Sequence, residues 1–385
     1  MNIVFLSPHF PPNYYLFCQR LRALGATVLG LADQPYTSLR PELREAFTDY
    51  YFVSDMHNYE ELLRALGYFT HRYGKLDRID SLNEYWLESE ARLRSDFNIE
   101  GPKLADMPAI RRKSAMKRHF VEAGLSVAQG LLSDDAQQVA AFAETVGFPL
   151  VAKPDSGVGA TATFKLTSQA ELTAFLDRGL AGYFIEEFVS GTIVTFDGLA
   201  DRAGEPIFCT SMEYSQGVME VVNNDDDVYY FTRRTIPEDI ALAGRAMLAA
   251  FAVRERFFHF EFFRTPESRL VALEVNMRPP GGLSVDMFNY AAQIDLYGAW
   301  AALVVHGLGP TVSPAPYSVC YAGRKYGKPY AHSHEHLLAR FADQIVHHQP
   351  MAQAFRRAMG DYGYLLRSPD CDEVVAGARY IQALK

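Results

Sequence analysis

Two apolar runs past the middle of the chain constrain its fold most. Phe257 to Phe263 and Arg269 to Val275 read as strands, and the turn-rich Thr265-Pro266-Glu267-Ser268 between them makes an antiparallel pair. Neither run alternates polar and apolar residues strictly, so both faces of the pair should be buried. Yet acids interrupt them: Glu261 in the first run, Glu274 in the second, and Asn276 two residues further on. Glu274 and Asn276 point to one strand face, and Glu261 can meet them across the pair, with His259 on the same face. Two carboxylates facing one another in apolar surroundings repel unless a cation sits between them. Oxygen ligands from Glu, Glu and Asn suit Mg²⁺ shared with phosphates. The competing reading pairs these acids with Arg264, Arg269 or Arg278.

The first hundred residues follow a different rule. Short apolar runs at Ile3 to Leu6, Thr27 to Leu31, Tyr50 to Val53 and Ile79 to Leu82 are separated by amphipathic stretches, the first ending at Gly25. This alternation predicts a parallel sheet with helices on both faces. Gly101-Pro102 to Pro108 reads as a connector into a basic helix from about Ile110 to Glu122, closed by Gly124. From Phe148 the pattern turns to hairpins. Pro149 to Lys153 and Thr161 to Leu166 flank Asp155-Ser156-Gly157-Val158-Gly159, and Ser168 with Glu171 forms a capping box. Tyr183 to Val189, Thr192 to Ala200 and Ile207 to Met212 are the next strands. Gly217 to Thr232, with Asn223-Asn224-Asp225-Asp226-Asp227, is too polar for core and reads as a mobile stretch. Pro237 opens a long helix, and another is expected from about Val285 to Val305. Domain limits are expected at 1–100, 101–185, 186–310 and 311–385.

At 385 residues the chain exceeds most single domains, so two or three packed units are expected. A net charge of -9 argues against nucleic acid as the partner and toward a small, polar substrate. The four cysteines lie far apart without a Cys-x-x-Cys spacing. The start lacks the basic region of a signal peptide, and no apolar stretch is long enough to span a bilayer, so a cytoplasmic protein without membrane association is expected.

Two lysines stand where phosphates could be gripped: Lys113 at the start of the basic helix, and Lys153 on the strand before Gly157 and Gly159. Lys is a compact cation, and glycines let backbone N–H groups approach phosphate oxygens; a lysine in an apolar strand followed by glycine is also common for purely structural reasons. Tyr183-Phe184-Ile185-Glu186-Glu187-Phe188-Val189 offers apolar side chains against which a flat ring could slot. It reads equally as a buried strand with an exposed acidic pair.

The order Lys113, Lys153 with Gly157 and Gly159, Glu186-Glu187-Phe188-Val189-x-Gly191, Glu261, then Glu274-x-Asn276-x-Arg278-Pro279-Pro280-Gly281-Gly282 resembles the ATP-grasp superfamily of carboxylate-amine ligases, in particular those acting on amino acids. The resemblance covers residues 100 to 310 in detail. It implies an α/β protein in which two α+β lobes grip ATP, preceded by a Rossmann-like domain. It also implies an ADP-forming enzyme that activates a carboxylate as an acyl phosphate and couples it to an amine, with ATP and Mg²⁺ or Mn²⁺ as cofactors. Lys113 and Lys153 would contact the α- and β-phosphates, and the loop around Gly157 and Gly159 would close as a flap. Glu186, with the backbone at Glu187 and Val189, would hold adenine. Glu261, Glu274 and Asn276 would bind the metal, and Arg278 with Lys153 would stabilise the reacting groups. The chain departs from the superfamily in a sparse glycine loop and in having Thr192-Ile193 where relatives carry a ribose-binding acid, so ribose is either held by another residue such as Asp197 or largely ignored. A bicarbonate-activating carboxylase or an ATP sensor could use the same site. The superfamily's habit of dimerising is the only ground for expecting a homodimer.

Overall fold

The computed structural model describes residues 1–157, 162–179, 181–309 and 315–385. The N-terminal strands form a parallel sheet in the order Asp49–Phe52, Thr27–Ala32, Asn2–Leu6, Arg78–Asp80. Alternation along the strands feeds two cores. Ile3, Phe5 and Val28 pack with Phe17 and Leu21 of the helix Tyr15–Ala23, whereas Val4, Leu6 and Leu29 pack with Leu62, Leu66 and Phe69 of the helix Tyr59–Tyr73. Helices on both faces are what the alternating sequence requires.

A small antiparallel sheet follows, in the order Gly130–Leu132, Tyr183–Glu187, Leu150–Pro154, Phe164–Leu166. The helices Ala136–Val146 and Gln169–Leu176 cover it through Val139, Ala143, Leu172 and Phe175. The largest sheet is antiparallel and runs Leu270–Asn276, Arg256–Arg264, Thr192–Ala200, Met212–Tyr214, Tyr229–Thr232, Ser318–Arg324, Tyr362–Ser368, Ile345–Pro350; the strand Pro206–Thr210 pairs with Thr192–Ala200 off this path. The last three strands of that path come from the C-terminal portion, which therefore continues the central sheet. Among the described residues no helix is long and apolar enough to cross a membrane.

Three expected elements differ. The basic helix is two helices, Met107–Arg111 and Lys113–Glu122, because Arg112 is extended, with φ −99° and ψ 119°. Asp155 imposes the break: its carbonyl accepts from Lys113 N at 2.8 Å and its carboxylate from Ser114 N at 2.8 Å, so it caps the second helix from the bend that follows the strand Leu150–Pro154. The helix expected over 285–305 is Ser284–Ala292 and Leu296–His306, parted by Gln293 at φ 55°. Asp295 then caps the second piece by accepting from Gly298 N at 3.1 Å. The polar stretch 217–232 is ordered as a helix, Val218–Asn224, and a strand, Tyr229–Thr232. Its acids are neutralised from afar: Asp225 pairs with Lys325 at 2.7 Å, and Asp227 accepts from Tyr330 at 2.9 Å and pairs with Lys328 at 3.2 Å.

A buried ionic cluster joins the N-terminal sheet to the central one. Asp80, 1% exposed, bonds Arg78, Arg94 at 2.9 Å and Arg256 at 3.1 Å, and Arg94 also pairs with Glu90 at 2.7 Å. Arg256 opens the strand that carries Glu261 and donates to the Met277 carbonyl at 3.2 Å.

Candidate active site

The register of the central strands assembles the acids. Glu261 lies directly opposite Glu274, and His259 opposite Asn276. The register then shifts, leaving Leu273 as an extra residue, and this bulge lets Leu273 and Glu274 both line the cavity. On its other side the strand places His259 beside Asp197 and Glu261 beside Thr195. His259 Nδ1 lies 2.5 Å from Asp197 and its Nε2 2.9 Å from Glu261. Burial disfavours a charged imidazole, but these two carboxylates outweigh it and push its pKa up to about 9, so the ring is cationic at neutral pH. Asp197, considered from the sequence for ribose, is fully buried and held by His259 and the Thr195 hydroxyl, so it has no group left for a ligand.

Among the described residues, neither facing acid forms an ion pair with an arginine. Arg264 is held by Asp239, and Arg278 gives Nε and Nη2 to Glu84 at 3.1 and 3.0 Å. Burial raises Glu261, but its bond to His259 and the charges of His259, Arg278 and Lys153 bring it below the usual carboxylate range. Glu274 is pushed up to about 7 by burial, with Glu261 and Glu84 adding to the effect against Lys113. A carboxyl raised first by burial and then by neighbouring anions is one whose charged form a bound cation would favour. Among the described residues no three His, Cys, Asp or Glu side chains gather to hold a metal by themselves. Glu261, Glu274 and Asn276 line one cavity and could offer oxygens to an ion that takes its remaining ligands from phosphates or water.

Lys113 Nζ lies 3.7 Å from Glu274 and donates to the Gly157 carbonyl at 3.2 Å, so the glycine loop and the acids meet at one lysine. Lys153 contacts the buried Glu186, whose other oxygen lies 2.8 Å from Lys117. Burial raises Glu186, but the two lysines pull its pKa below the usual range. The Glu186 carboxylate, read from the sequence as reaching adenine, is thus spent on lysines. Lys117 was missed by sequence reasoning; its signal is that it follows Lys113 by one helical turn and shares its helix face.

These groups line one cavity of about 590 Å³, together with Glu187, Val189, Arg278 and Gly281. The Glu187 N–H is given to the Gln129 carbonyl at 2.9 Å, leaving its carboxylate and carbonyl as the groups it can offer. Gly157 lines the cavity, whereas Gly159 lies outside the described residues. Asn276 is 3% exposed and accepts from Arg278 at 3.2 Å. Arg233 is tied to Glu213, Arg234 donates to the Pro369 carbonyl at 3.0 Å, and neither lines the cavity. Ala358 and Met359, from the C-terminal portion, also line the cavity, which no sequence signal announced.

No family model matches the chain. Its fold is similar to that of the L-amino acid ligase from Bacillus licheniformis, with a TM-score of 0.76 over 99% of this chain and 96% of that one, at 15% identity. The chain has the ATP-grasp fold. A second ATP-grasp structure, N5-carboxyaminoimidazole ribonucleotide synthetase from Thermotoga maritima, superposes with a TM-score of 0.72 over 98% and 96% of the two chains at 15% identity. The biotin carboxylase domain of the 2-oxoglutarate carboxylase from Hydrogenobacter thermophilus, solved with MgADP and bicarbonate, gives a TM-score of 0.70 over 99% and 89% at 14% identity. In sequence, the chain is 25% identical over 275 residues to an L-arginine-specific L-amino acid ligase of Bacillus subtilis. That match spans 65% of this chain and 63% of the relative, less than two thirds of its length.

Proposed function

We propose that this protein is an ADP-forming ligase that activates the carboxylate of an amino acid as an acyl phosphate and couples it to an amine. The observation that carries the reading is the meeting, in one cavity, of the facing acids Glu261 and Glu274 with the cations Lys113 and Lys153. Acids that need a cation, beside lysines that suit phosphates, match the charge pattern of a metal-bound nucleotide. The amino-acid ligases among its relatives support the choice of substrates.

In this reading Lys113 and Lys153 hold the α- and β-phosphates, and Lys117 shares Glu186 so that Lys153 is not fully neutralised. Phe188, Val189 and Leu273 give apolar surface for adenine, with the Glu187 carbonyl and the Val189 N–H as edge contacts. Glu261, Glu274 and Asn276 would hold Mg²⁺ or Mn²⁺, which when bound would neutralise charge on the phosphates. His259, cationic between Asp197 and Glu261, fixes the orientation of the Glu261 carboxylate. The substrate carboxylate attacks the γ-phosphorus and ADP leaves. The amine then attacks the acyl carbon and inorganic phosphate departs. Arg278, anchored by Glu84 and the Pro279 carbonyl, faces the negative charge that builds on the acyl oxygen. No protein nucleophile is needed, since the work is positioning and charge neutralisation.

Phosphate release from ATP and Mg²⁺ across amino acids, singly and in pairs, tests this, with Glu274→Ala as control. Release that requires a pair and disappears in the variant is expected. Release that requires bicarbonate would identify a carboxylase instead, and ATP binding without release under any condition would identify a sensor.

A further inference from the structure

The cavity has an end built from a different kind of residue. Tyr214, Met219, Val228, Tyr230, Ala358 and Met359 line it. Tyr214 stacks on Tyr230, and Tyr230 on Tyr321, each with ring centroids 4.9 Å apart. The Tyr321 hydroxyl donates to the Met359 carbonyl at 2.8 Å. The Met359 side chain lies against Gly282, where a Cβ would fall 2.7 Å from its sulfur. The helix Gln353–Met359 also packs on the helix Val218–Asn224, which brings in Met219. These contacts join the wall to the loop that leads from Arg278 to Gly282, where the ligase reading puts the acyl group.

Most of the charge at this end is already paired. Glu84 is taken by Arg278, and Glu213 by Arg233. Glu220 folds back over Gly217 in the first turn of its own short helix. Among the described residues Glu220 is the one acid lining this end without a cationic partner, so a ligand cation meets a single carboxylate here and a ligand carboxylate meets no unpaired arginine. Thioethers, a valine and aromatic faces instead reward an uncharged side chain by removing it from water.

We propose that this end is the side-chain pocket for an uncharged, apolar amino-acid substrate such as leucine, methionine or phenylalanine, and that Met359 is its specificity-determining residue. The proposal rests on the ligase reading and adds the substrate class to it. The C-terminal portion then adds Ala358 and Met359 to a selectivity wall otherwise built, like the phosphate site, from residues 101–310.

The test uses the full chain. In phosphate-release assays the KM for leucine, methionine or phenylalanine should lie roughly tenfold or more below that for arginine, lysine or glutamate. Met359→Glu should reverse the order toward cationic amino acids, and Ala358→Leu should raise the KM of large apolar substrates while that of alanine holds. The KM for ATP should stay within about twofold in both variants, since neither touches the phosphate end. Unchanged preferences in both variants, with turnover intact, would overturn the pocket and leave the ligase reading standing. If no amino acid supports turnover, the ligase reading fails, and calorimetry with a non-hydrolysable ATP analogue still decides the pocket. Leucine binding that is lost in Met359→Glu supports it, and no binding of any apolar amino acid to the wild type overturns it.

Discussion

Replacing Asp80 by Asn tests whether the fold depends on the ionic cluster beneath the site. Arg78, Arg94 and Arg256 surround Asp80, Glu90 shares Arg94, and Glu255 lies 3.7 Å from Arg78, so three cations face three anions around a buried centre. The substitution keeps the shape but leaves three cations against two anions, of which Glu255 is the more distant. Removing one partner from such a buried set typically costs about 3–5 kcal/mol, because the remaining charges cannot regain water. That is a large share of a total stability of roughly 5–15 kcal/mol, and should lower Tm on the order of 5–10 °C. Burial raises the Asp80 carboxyl, but Arg78, Arg256 and Arg94 win and hold its pKa below the ordinary 3.8. A group with a lowered folded-state pKa stabilises above its unfolded value and loses that contribution as pH falls through the folded one. The difference between wild type and Asp80→Asn should therefore be full near neutral pH and shrink below about pH 4. Denaturant titration at several pH values measures it. A loss under about 1 kcal/mol at neutral pH, or a gap indifferent to acid, would refute the reasoning. Since Arg256 also holds the Met277 carbonyl between Asn276 and Arg278, a fall in kcat should accompany the loss.

Three further outcomes are expected. Glu274→Gln should abolish metal-dependent ATP turnover while circular dichroism and Tm hold or rise, because relieving two facing acids removes repulsion; unchanged turnover would remove Glu274 from the metal set. Lys117→Met leaves Glu186 to Lys153 alone, so ATP should bind about tenfold more weakly by calorimetry, the loss of one charge-assisted contact's worth; unaltered affinity would make Lys117 purely structural. Gly282→Val puts a β-branched residue at φ +65° with its Cβ against the Met359 sulfur, and should cost at least about 2 kcal/mol in denaturant unfolding.

What could be read from the sequence, and what could not, divides by range. The period of two along a strand fixes which face a side chain takes, so Glu261, Glu274 and Asn276 could be grouped before any coordinates, and the parallel N-terminal sheet followed from local alternation. The bulge at Leu273 could not, since an extra residue on one strand has meaning only against its partner. The same limit explains the broken basic helix. Arg112 sits in a run with good helical character, and what stops it is Asp155, some forty residues on, offering both a carbonyl and a carboxylate to the next turn. It explains the acidic stretch too: Asp225 and Asp227 look like loop residues until Lys325, Lys328 and Tyr330 arrive from the C-terminal portion. Lys117 and Glu186 make the point for chemistry. A lysine and a glutamate some seventy residues apart give no sign of each other in sequence, yet their pairing changes what Glu186 can do. The charge state of a group at this site is thus set by partners distant in the chain, so residue type and spacing can nominate a site, but only the packed structure can say which of its charges are still free to meet a ligand.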